Sequence, residues 1–135
     1  MPNNDARAAN APYYMYQCGV DRVVDGDTID VIIDLGFEIQ TTARTRLAGV
    51  DTRETYGVDH ESEEYQRGMA HKHAVADWIA ETVHEIPDNH PFILYSQEYN
   101  RGKYGRVIAD FWSPHHEQWL TDYLLSEFED VEVYE

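Results

Sequence analysis

The alternation of residue types between positions 29 and 35 places the strongest constraint on the fold of this chain. In the stretch IDVIIDL, apolar residues stand at every second position, starting at Ile29 and ending at Leu35. Side chains of a β-strand point to opposite faces in turn, so the stretch predicts a half-buried strand. Residues 13–24 and 37–48 are suited to strands on either side of it, separated by the turn DGDT and by Gly36. The sequence therefore predicts three antiparallel strands in a meander.

The apolar period changes to that of a helix after Glu61. From there to about Glu85, apolar residues recur three or four positions apart, which predicts one amphipathic helix. Ser62, with acidic residues behind it, suits the N-terminus of that helix. We expect the buried stripe to consist of Tyr65, Met69, His73, Ala76, Ile79 or Ala80, and Val83.

The remainder of the chain predicts two strands and a closing helix. Residues 91–99 and 105–112 are apolar and β-branched, and the turn-forming NRGK joins them. A helix follows Pro114, with an apolar face of Trp119, Leu120, Tyr123, Leu124 and Phe128. This order predicts an α+β domain with more strand than helix. A five-stranded barrel with a helix between strands 3 and 4, the OB-fold, is one candidate.

Length and composition predict a single folded unit. The 135 residues include 42% apolar residues, enough for a real core, and one cysteine, Cys18. We expect residues 1–12 to form a flexible N-terminal arm and residues 13–135 to form the domain. No secretory signal or run of about 18 apolar residues stands in the sequence. We therefore expect a cytoplasmic monomer that does not bind membranes.

The charge balance is strongly acidic. Twenty-six Asp and Glu stand against 10 Lys and Arg, for a net charge of −16. At about 1 M salt the Debye length is only about 3 Å, so a chain adapted to concentrated salt tolerates this self-repulsion. We therefore expect a halophilic source, either an organism or its virus. The alternative is an acidic surface that imitates DNA or docks on a basic partner.

A group of charged residues stands where predicted strands begin or end. Asp27 precedes one strand, Asp51 follows another with Glu54 three residues on, and Arg46 and Arg106 lie in strands nearby. Carboxylates bind hard divalent cations through oxygen, and a free carboxylate can deprotonate water. Guanidinium groups match phosphate oxygens in bidentate fashion. Together these residues have the chemistry for metal-assisted phosphodiester hydrolysis.

Strand parity leaves the geometry of this group open. Arg46 and Asp51 are five positions apart, so on one regular strand their side chains would point to opposite faces. Either Gly49 marks a bulge, or Asp51 lies beyond the strand. A purely structural interpretation is also open, in which Arg46 forms a salt bridge to Asp51 or Glu54 without catalysis.

Three motifs in one order resemble the staphylococcal nuclease family. They are DGDT (25–28), RLAGVDTRET (46–55) and KYGR (103–106), and the similarity runs from about Val20 to the C-terminal helix. The resemblance implies an OB-fold barrel with packed helices and a Ca²⁺-dependent endonuclease acting on DNA, RNA or both. It also implies that Asp27 and Asp51 bind Ca²⁺ by side chain and Thr52 binds it by its backbone carbonyl.

The same resemblance implies the roles of the remaining site residues. Glu54 is the general base, and Arg46 with Arg106 is the phosphate-binding pair. Lys103 and Tyr104 match positions that flank the nucleotide phosphate. The family usually has proline where this chain has Arg53, which can add a substrate contact but does not stiffen the loop.

A second function of a different class is open at this point. The chain is then a non-catalytic OB-fold module that binds nucleic acid or a basic protein partner through its acidic surface. The simultaneous presence of all five charged site residues favours the enzyme, because a binding module has no need for the whole set.

Overall fold

The computed structural model describes residues 15–53, 55, 57–98 and 107–133. The predicted N-terminal arm lies outside this range. The first three strands are β1 (Met15–Asp25), β2 (Thr28–Gly36) and β3 (Ile39–Leu47). β1 pairs with β2 and β2 with β3, both antiparallel, so the predicted meander is confirmed.

Two helices and five further strands complete the described part of the chain. In order they are β4 (Val50–Asp51), α1 (Glu63–Glu85), β5 (Phe92–Glu98), β6 (Val107–Ser113), β7 (Gln118–Trp119), α2 (Leu120–Glu127) and β8 (Glu132–Val133). Ser62 caps α1, because its side chain accepts a hydrogen bond from the Tyr65 N–H. The short β4, β7 and β8 are not predicted from sequence.

The sheet closes into a barrel. Its strands lie in the order β3-β2-β1-β5-β6, and β3 pairs with β6 in parallel to join the two ends. β1 pairs with both β2 and β5, and its register with β2 has two irregularities. The α+β, OB-like five-stranded barrel, with a helix between its third and fourth strands, is confirmed.

The buried face of α1 differs from the predicted stripe. His73 and Ala80 are exposed, and Val83 is 44% exposed. The face that packs on the barrel consists of Gly68, His71, Val75, Trp78, Ile79 and Thr82. The period of the prediction is correct and Ile79 is buried as predicted, but the other fully buried residues differ from the predicted ones, because three of the buried side chains carry polar atoms. Those of His71 and Thr82 are hydrogen-bonded inside the fold.

The second helix is confirmed, although it begins at Leu120, so that Trp119 of the predicted face belongs to β7 and Phe128 follows the helix. Leu120 and Leu124 are fully buried, and Tyr123 and Phe128 pack against the same core. Its N-terminus is held by Asp110 of β6, whose carboxylate accepts hydrogen bonds from the Thr121 N–H and hydroxyl at 3.3 and 2.6 Å. This buried cap fixes α2 against the barrel. Neither helix in the described ranges has the length and apolar character needed to cross a bilayer.

Candidate active site

Asp27 lies at the turn between β1 and β2 and is almost completely buried. Its Oδ1 accepts a hydrogen bond from the Thr28 hydroxyl at 3.0 Å, and its Oδ2 accepts one from the Thr52 N–H at 3.2 Å. Its backbone carbonyl accepts from the Leu47 N–H at 2.9 Å, which fixes the turn to the end of β3. The aspartate of DGDT is therefore held in a defined orientation beside the 46–53 segment.

Arg46 is the residue before the last one of β3, and its side chain lies between two carboxylates. Its Nη2 is 2.9 Å from Asp51 Oδ1 and 3.6 Å from Asp27 Oδ2. Its Nη1 donates to the carbonyls of Leu47 and Val50 at 3.3 and 3.4 Å. These contacts place the three charged side chains in one cluster at the rim of the barrel.

The parity question is answered by the end of β3. The strand stops at Leu47, Gly49 turns the chain with a φ of 77°, and Asp51 belongs to the separate strand β4. Asp51 thus lies beyond the strand, and the turn brings it back toward Arg46. β4 is in turn paired with β8, with Asp51 opposite Glu132.

The electrostatics of the cluster are not balanced. Desolvation, followed by the nearby Asp27 carboxylate, raises the pKa of Asp51 above its ordinary value, although Arg46 acts in the opposite direction. One guanidinium therefore compensates the two carboxylates incompletely. A further cation at this position would favour the ionised form of Asp51.

The segment that follows Asp51 is anchored residue by residue. The Thr52 N–H donates to Asp27, the Arg53 N–H donates to Nδ1 of His71 at 3.1 Å, and the Thr55 hydroxyl donates to Asp25. Both sequence neighbours of Glu54 are thus fixed to other elements of the barrel and helix. Glu54 itself lies outside the described residues.

His71 connects this segment to the C-terminal part of the chain. Its ring is fully buried on α1, and its Nε2 donates to Asp130 Oδ1 at 3.0 Å. Because Nδ1 accepts the Arg53 N–H, the ring is the neutral tautomer with its proton on Nε2. Burial raises the pKa of Asp130, but the hydrogen bond from His71 and several smaller interactions together outweigh burial, and the pKa lies below its ordinary value.

Gly26 of DGDT lies where close packing leaves little room for a side chain. A Cβ built at this position lies 3.0 Å from His71 Cβ, from Thr52 Cγ2 and from Thr52 Oγ1. Any larger residue must displace both neighbours. The glycine therefore has a role beyond the turn, since it allows the helix and the 46–53 segment to approach the β1–β2 turn.

Two clefts open beside the cluster. One, of about 130 Å³, is lined by Asp51, Thr52, Arg53, Glu64 and Glu132. The other, of about 280 Å³, is lined by Arg53, Glu63, Glu64 and Arg67. Arg53, in the position where the resembled family usually has proline, borders both.

The donor chemistry of the cluster suits a hard divalent cation. Asp27 and Asp51 offer carboxylate oxygens, and the buried Thr52 Oγ1 has no hydrogen-bond partner within the part of the chain that the structure describes. In the same ranges, no three His, Cys, Asp or Glu side chains are grouped to hold a metal ion. A Ca²⁺ ion here would complete its shell with backbone oxygen, water or residues beyond those ranges.

Four of the predicted site residues come together in the structure, and four cannot be placed. Asp27, Arg46, Asp51 and Thr52 form the cluster, with Arg53 beside it. The predicted roles of four others fall outside the described residues: Glu54, Lys103, Tyr104 and Arg106. β3 and β6 pair in parallel, with Thr45 opposite Val107 and Arg46 opposite Ile108.

Sequence reasoning missed His71, Asp130 and Glu132 as neighbours of the site. His71 could have been found from spacing, because it lies four residues before Val75 and seven before Trp78 on one helical face. No local pattern marks Asp130 or Glu132. Their positions follow from the two-residue strand β8.

Comparison with known proteins identified no relative of this chain. A scan against models of known families finds no match, and a search of curated proteins finds none either.

Proposed function

We propose that this protein is a Ca²⁺-dependent endonuclease that hydrolyses phosphodiester bonds of DNA, RNA or both. The observation that supports it most directly is the convergence of Arg46 with Asp27 and Asp51 at the barrel rim. The sequence resemblance to the staphylococcal nuclease family assigns a role to each of these side chains. An incompletely compensated carboxylate pair beside an arginine suits a site that receives both a cation and a phosphate.

The residues of the cluster divide the chemistry among them. Asp27 and Asp51 supply anionic oxygens, and Thr52 supplies a backbone carbonyl. Bound Ca²⁺ would contribute positive charge against the scissile phosphate.

Water adds to phosphorus as the bond to the leaving sugar oxygen breaks, and Glu54 takes the proton from the water. Arg46 and Arg106 stabilise the charge that develops on the phosphoryl oxygens, and Lys103, Tyr104 and Arg53 contact the substrate.

Arg46 couples cation binding to phosphate binding in this proposal. Its guanidinium is engaged by the two carboxylates, so it can turn to a phosphate only when another cation compensates them. Phosphate affinity should therefore be low without Ca²⁺ and rise when Ca²⁺ is present. This order of binding follows from charge alone.

The test is a cleavage assay with single- and double-stranded substrates in Ca²⁺, Mg²⁺ or EDTA. We expect cleavage in Ca²⁺ and none in EDTA. Glu54→Gln should slow turnover strongly while Ca²⁺ binding stays largely intact. Arg106→Ala should cost far more rate than Lys103→Ala. Full activity in EDTA would overturn the proposal.

A second candidate function is favoured by the same ion pairs. Arg46 is held by two carboxylates and two carbonyls, as it would be if it only tied the end of β3 to β4. In that case the protein is a non-catalytic OB-fold module that binds a basic partner through its acidic surface. Absence of cleavage under every metal and salt condition, with the protein folded, would select this function.

A further inference from the structure

The backbone N–H groups on the two sides of the Thr52 α-carbon are both hydrogen-bonded, and this restrains the peptide between Thr52 and Arg53. The Thr52 N–H donates to Asp27, and the Arg53 N–H donates to His71 Nδ1. No cis peptide occurs in the described ranges, so this peptide is trans and planar. In a trans peptide the N–H and C=O point in opposite directions. The Thr52 carbonyl therefore points away from His71, in a direction that the Arg53–His71 hydrogen bond sets.

The buried ring of His71 can accept this bond only as one tautomer. Its Nε2 must carry the proton so that Nδ1 keeps a lone pair for the Arg53 N–H. Asp130, 3.0 Å from Nε2, selects that tautomer because a carboxylate accepts but does not donate. The contacts thus form a chain from Asp130 through His71 to the Thr52 carbonyl.

An N–H at position 53 makes such an acceptor necessary. A buried backbone donor without a partner costs roughly 1–3 kcal/mol, whereas proline at this position would have no N–H at all. His71, 0% exposed, supplies the acceptor from the facing side of α1. The hydrogen bond restrains a peptide that the side chain of Arg53 does not stiffen.

We propose that His71, oriented by Asp130, is a positioning residue that directs the Thr52 carbonyl toward the cation site. This inference rests on the proposed function, since it concerns the Ca²⁺ ligand that Thr52 supplies there. His71 does not touch substrate or cation and acts through the Thr52–Arg53 peptide. Residues that orient a metal ligand from outside typically contribute about 10–100-fold in affinity or activity.

The test is Ca²⁺ titration calorimetry on the full chain without nucleic acid, together with the amide spectrum of Arg53. His71→Phe keeps an aromatic ring and removes both nitrogens, and should weaken Ca²⁺ binding at least about tenfold. His71→Asn places an amide oxygen near the position of Nδ1 and should recover most of the affinity. In the spectrum, the Arg53 amide should lose its exchange protection in the Phe variant and regain it in the Asn variant.

A matched control separates positioning from general destabilisation. Thr82 lies on the same helix, is fully buried, and bonds to Ser113 Oγ at 2.7 Å. Thr82→Val should lower the melting temperature but leave Ca²⁺ affinity unchanged. If His71→Phe does not fold, Asp130→Ala replaces it. That variant keeps the ring but frees its tautomer, and should weaken Ca²⁺ about tenfold, the low end of the expected range.

The outcomes distinguish this inference from the proposed function. Wild-type protein that binds Ca²⁺ and cleaves nucleic acid, with His71→Phe or Asp130→Ala binding Ca²⁺ equally well, overturns the inference alone. Wild-type protein that binds no Ca²⁺ overturns the proposed function and the inference with it. Weakened binding in His71→Phe, with recovery in His71→Asn and none of the loss in Thr82→Val, supports both.

Discussion

Arg46 Nη2 lies 2.9 Å from Asp51 Oδ1, although the two residues belong to different strands separated by a turn. The contact exists because the chain reverses at Ala48 and Gly49 after β3 ends. In the proposed function, it brings the side chain that binds phosphate into direct contact with one that binds the cation. The consequences for rate, pH dependence and stability can each be measured.

Arg46→Ala should reduce the cleavage rate by a factor on the order of 10³ or more, because an arginine that stabilises a phosphoryl transition state has that magnitude. Arg46→Lys should recover little, since lysine lacks the planar fork that spans two oxygens. Arg44→Ala is the matched control on the same strand, because Arg44 forms an exposed pair with Asp30. The measurement is the initial cleavage rate of each variant and of the wild type at saturating Ca²⁺. A loss below about tenfold for Arg46→Ala would assign Arg46 to a structural salt bridge.

Asp51→Asn should raise the melting temperature in EDTA near neutral pH. Burial and Asp27 raise the pKa of Asp51, so the folded state keeps this proton to a higher pH than the unfolded state does. Its contribution to stability therefore falls as pH rises through that interval. The difference between the variant and wild type should disappear below about pH 4, where both states are protonated.

Melts from about pH 3 to pH 7 measure this effect, and added Ca²⁺ supplies the control. Ca²⁺ should raise the melting temperature of the wild type by mass action and leave Asp51→Asn nearly unchanged. An Asn variant that melts lower than wild type at neutral pH would contradict the prediction. It would show that the pairing of Asp51 with Arg46 outweighs its repulsion by Asp27.

Gly26→Ala should destabilise the fold by about 1–3 kcal/mol, as overpacking does in other cores. The added Cβ lies 3.0 Å from His71 Cβ, an atom that cannot move away by side-chain rotation. Urea denaturation measures the loss, and Ca²⁺ affinity should fall with it because Thr52 is displaced. Gly36→Asn is the comparison variant, since no atom lies within 4 Å of its Cβ and its cost comes from the positive φ alone, which asparagine adopts more readily than most residues. That cost should exceed the cost of Gly26→Ala only if packing is unimportant. Equal stability of both variants with wild type would refute the packing role.

Asp110→Ala should cost about 2–4 kcal/mol in the free energy of unfolding. Its carboxylate is 1% exposed and accepts from the Thr121 hydroxyl and N–H at the start of α2, so its removal takes an acceptor away from buried donors. Ser126→Ala, an exposed hydroxyl on the same helix, should change the value by less than about 0.5 kcal/mol. Denaturant midpoints at constant slope report both. A loss under about 1 kcal/mol for Asp110→Ala would show that the cap contributes little.

Salt should stabilise and activate this protein over the low range. A net charge of −16 repels itself and the substrate in dilute buffer, and added salt screens both effects. Ordinary nucleic-acid binders show the reverse, because their affinity comes from counterion release. Melts and initial rates at fixed Ca²⁺ should rise with KCl up to roughly 1 M. A monotonic decline of both would reject the high-salt interpretation and favour a basic protein partner.

The order of strands and helices along the chain could be predicted from the sequence because period two and period 3.6 separate cleanly along it. The face of α1 could not. His71 and Trp78 are residue types that hydropathy does not assign to a core, yet His71 is buried once Arg53 and Asp130 satisfy both of its nitrogens. A periodic pattern records average polarity and does not record which polar atoms will find partners.

The identities of the site residues could be predicted from the sequence, but their arrangement in space could not. The motifs name Asp27, Arg46 and Asp51, but their distances depend on where β3 stops, and strand ends have no periodic signal. The pairing of β4 with β8 is equally invisible, because two residues are too few to show alternation. The role of Asp110 is weakly indicated by the sequence, because an aspartate inside an apolar strand needs a hydrogen-bond donor. The sequence does not identify Thr121 as that donor.

The contact between His71 and Asp130 joins residues 59 positions apart in the chain. Such a contact forms only after the intervening helix and strands have found their places, and long-range contacts of this kind slow folding. During synthesis, a growing chain that has released its first three strands and α1 still lacks the residue that selects the tautomer of His71. The contacts that orient the Thr52–Arg53 peptide are therefore completed late, and in refolding experiments we expect Ca²⁺ binding to lag behind the burial of Trp78.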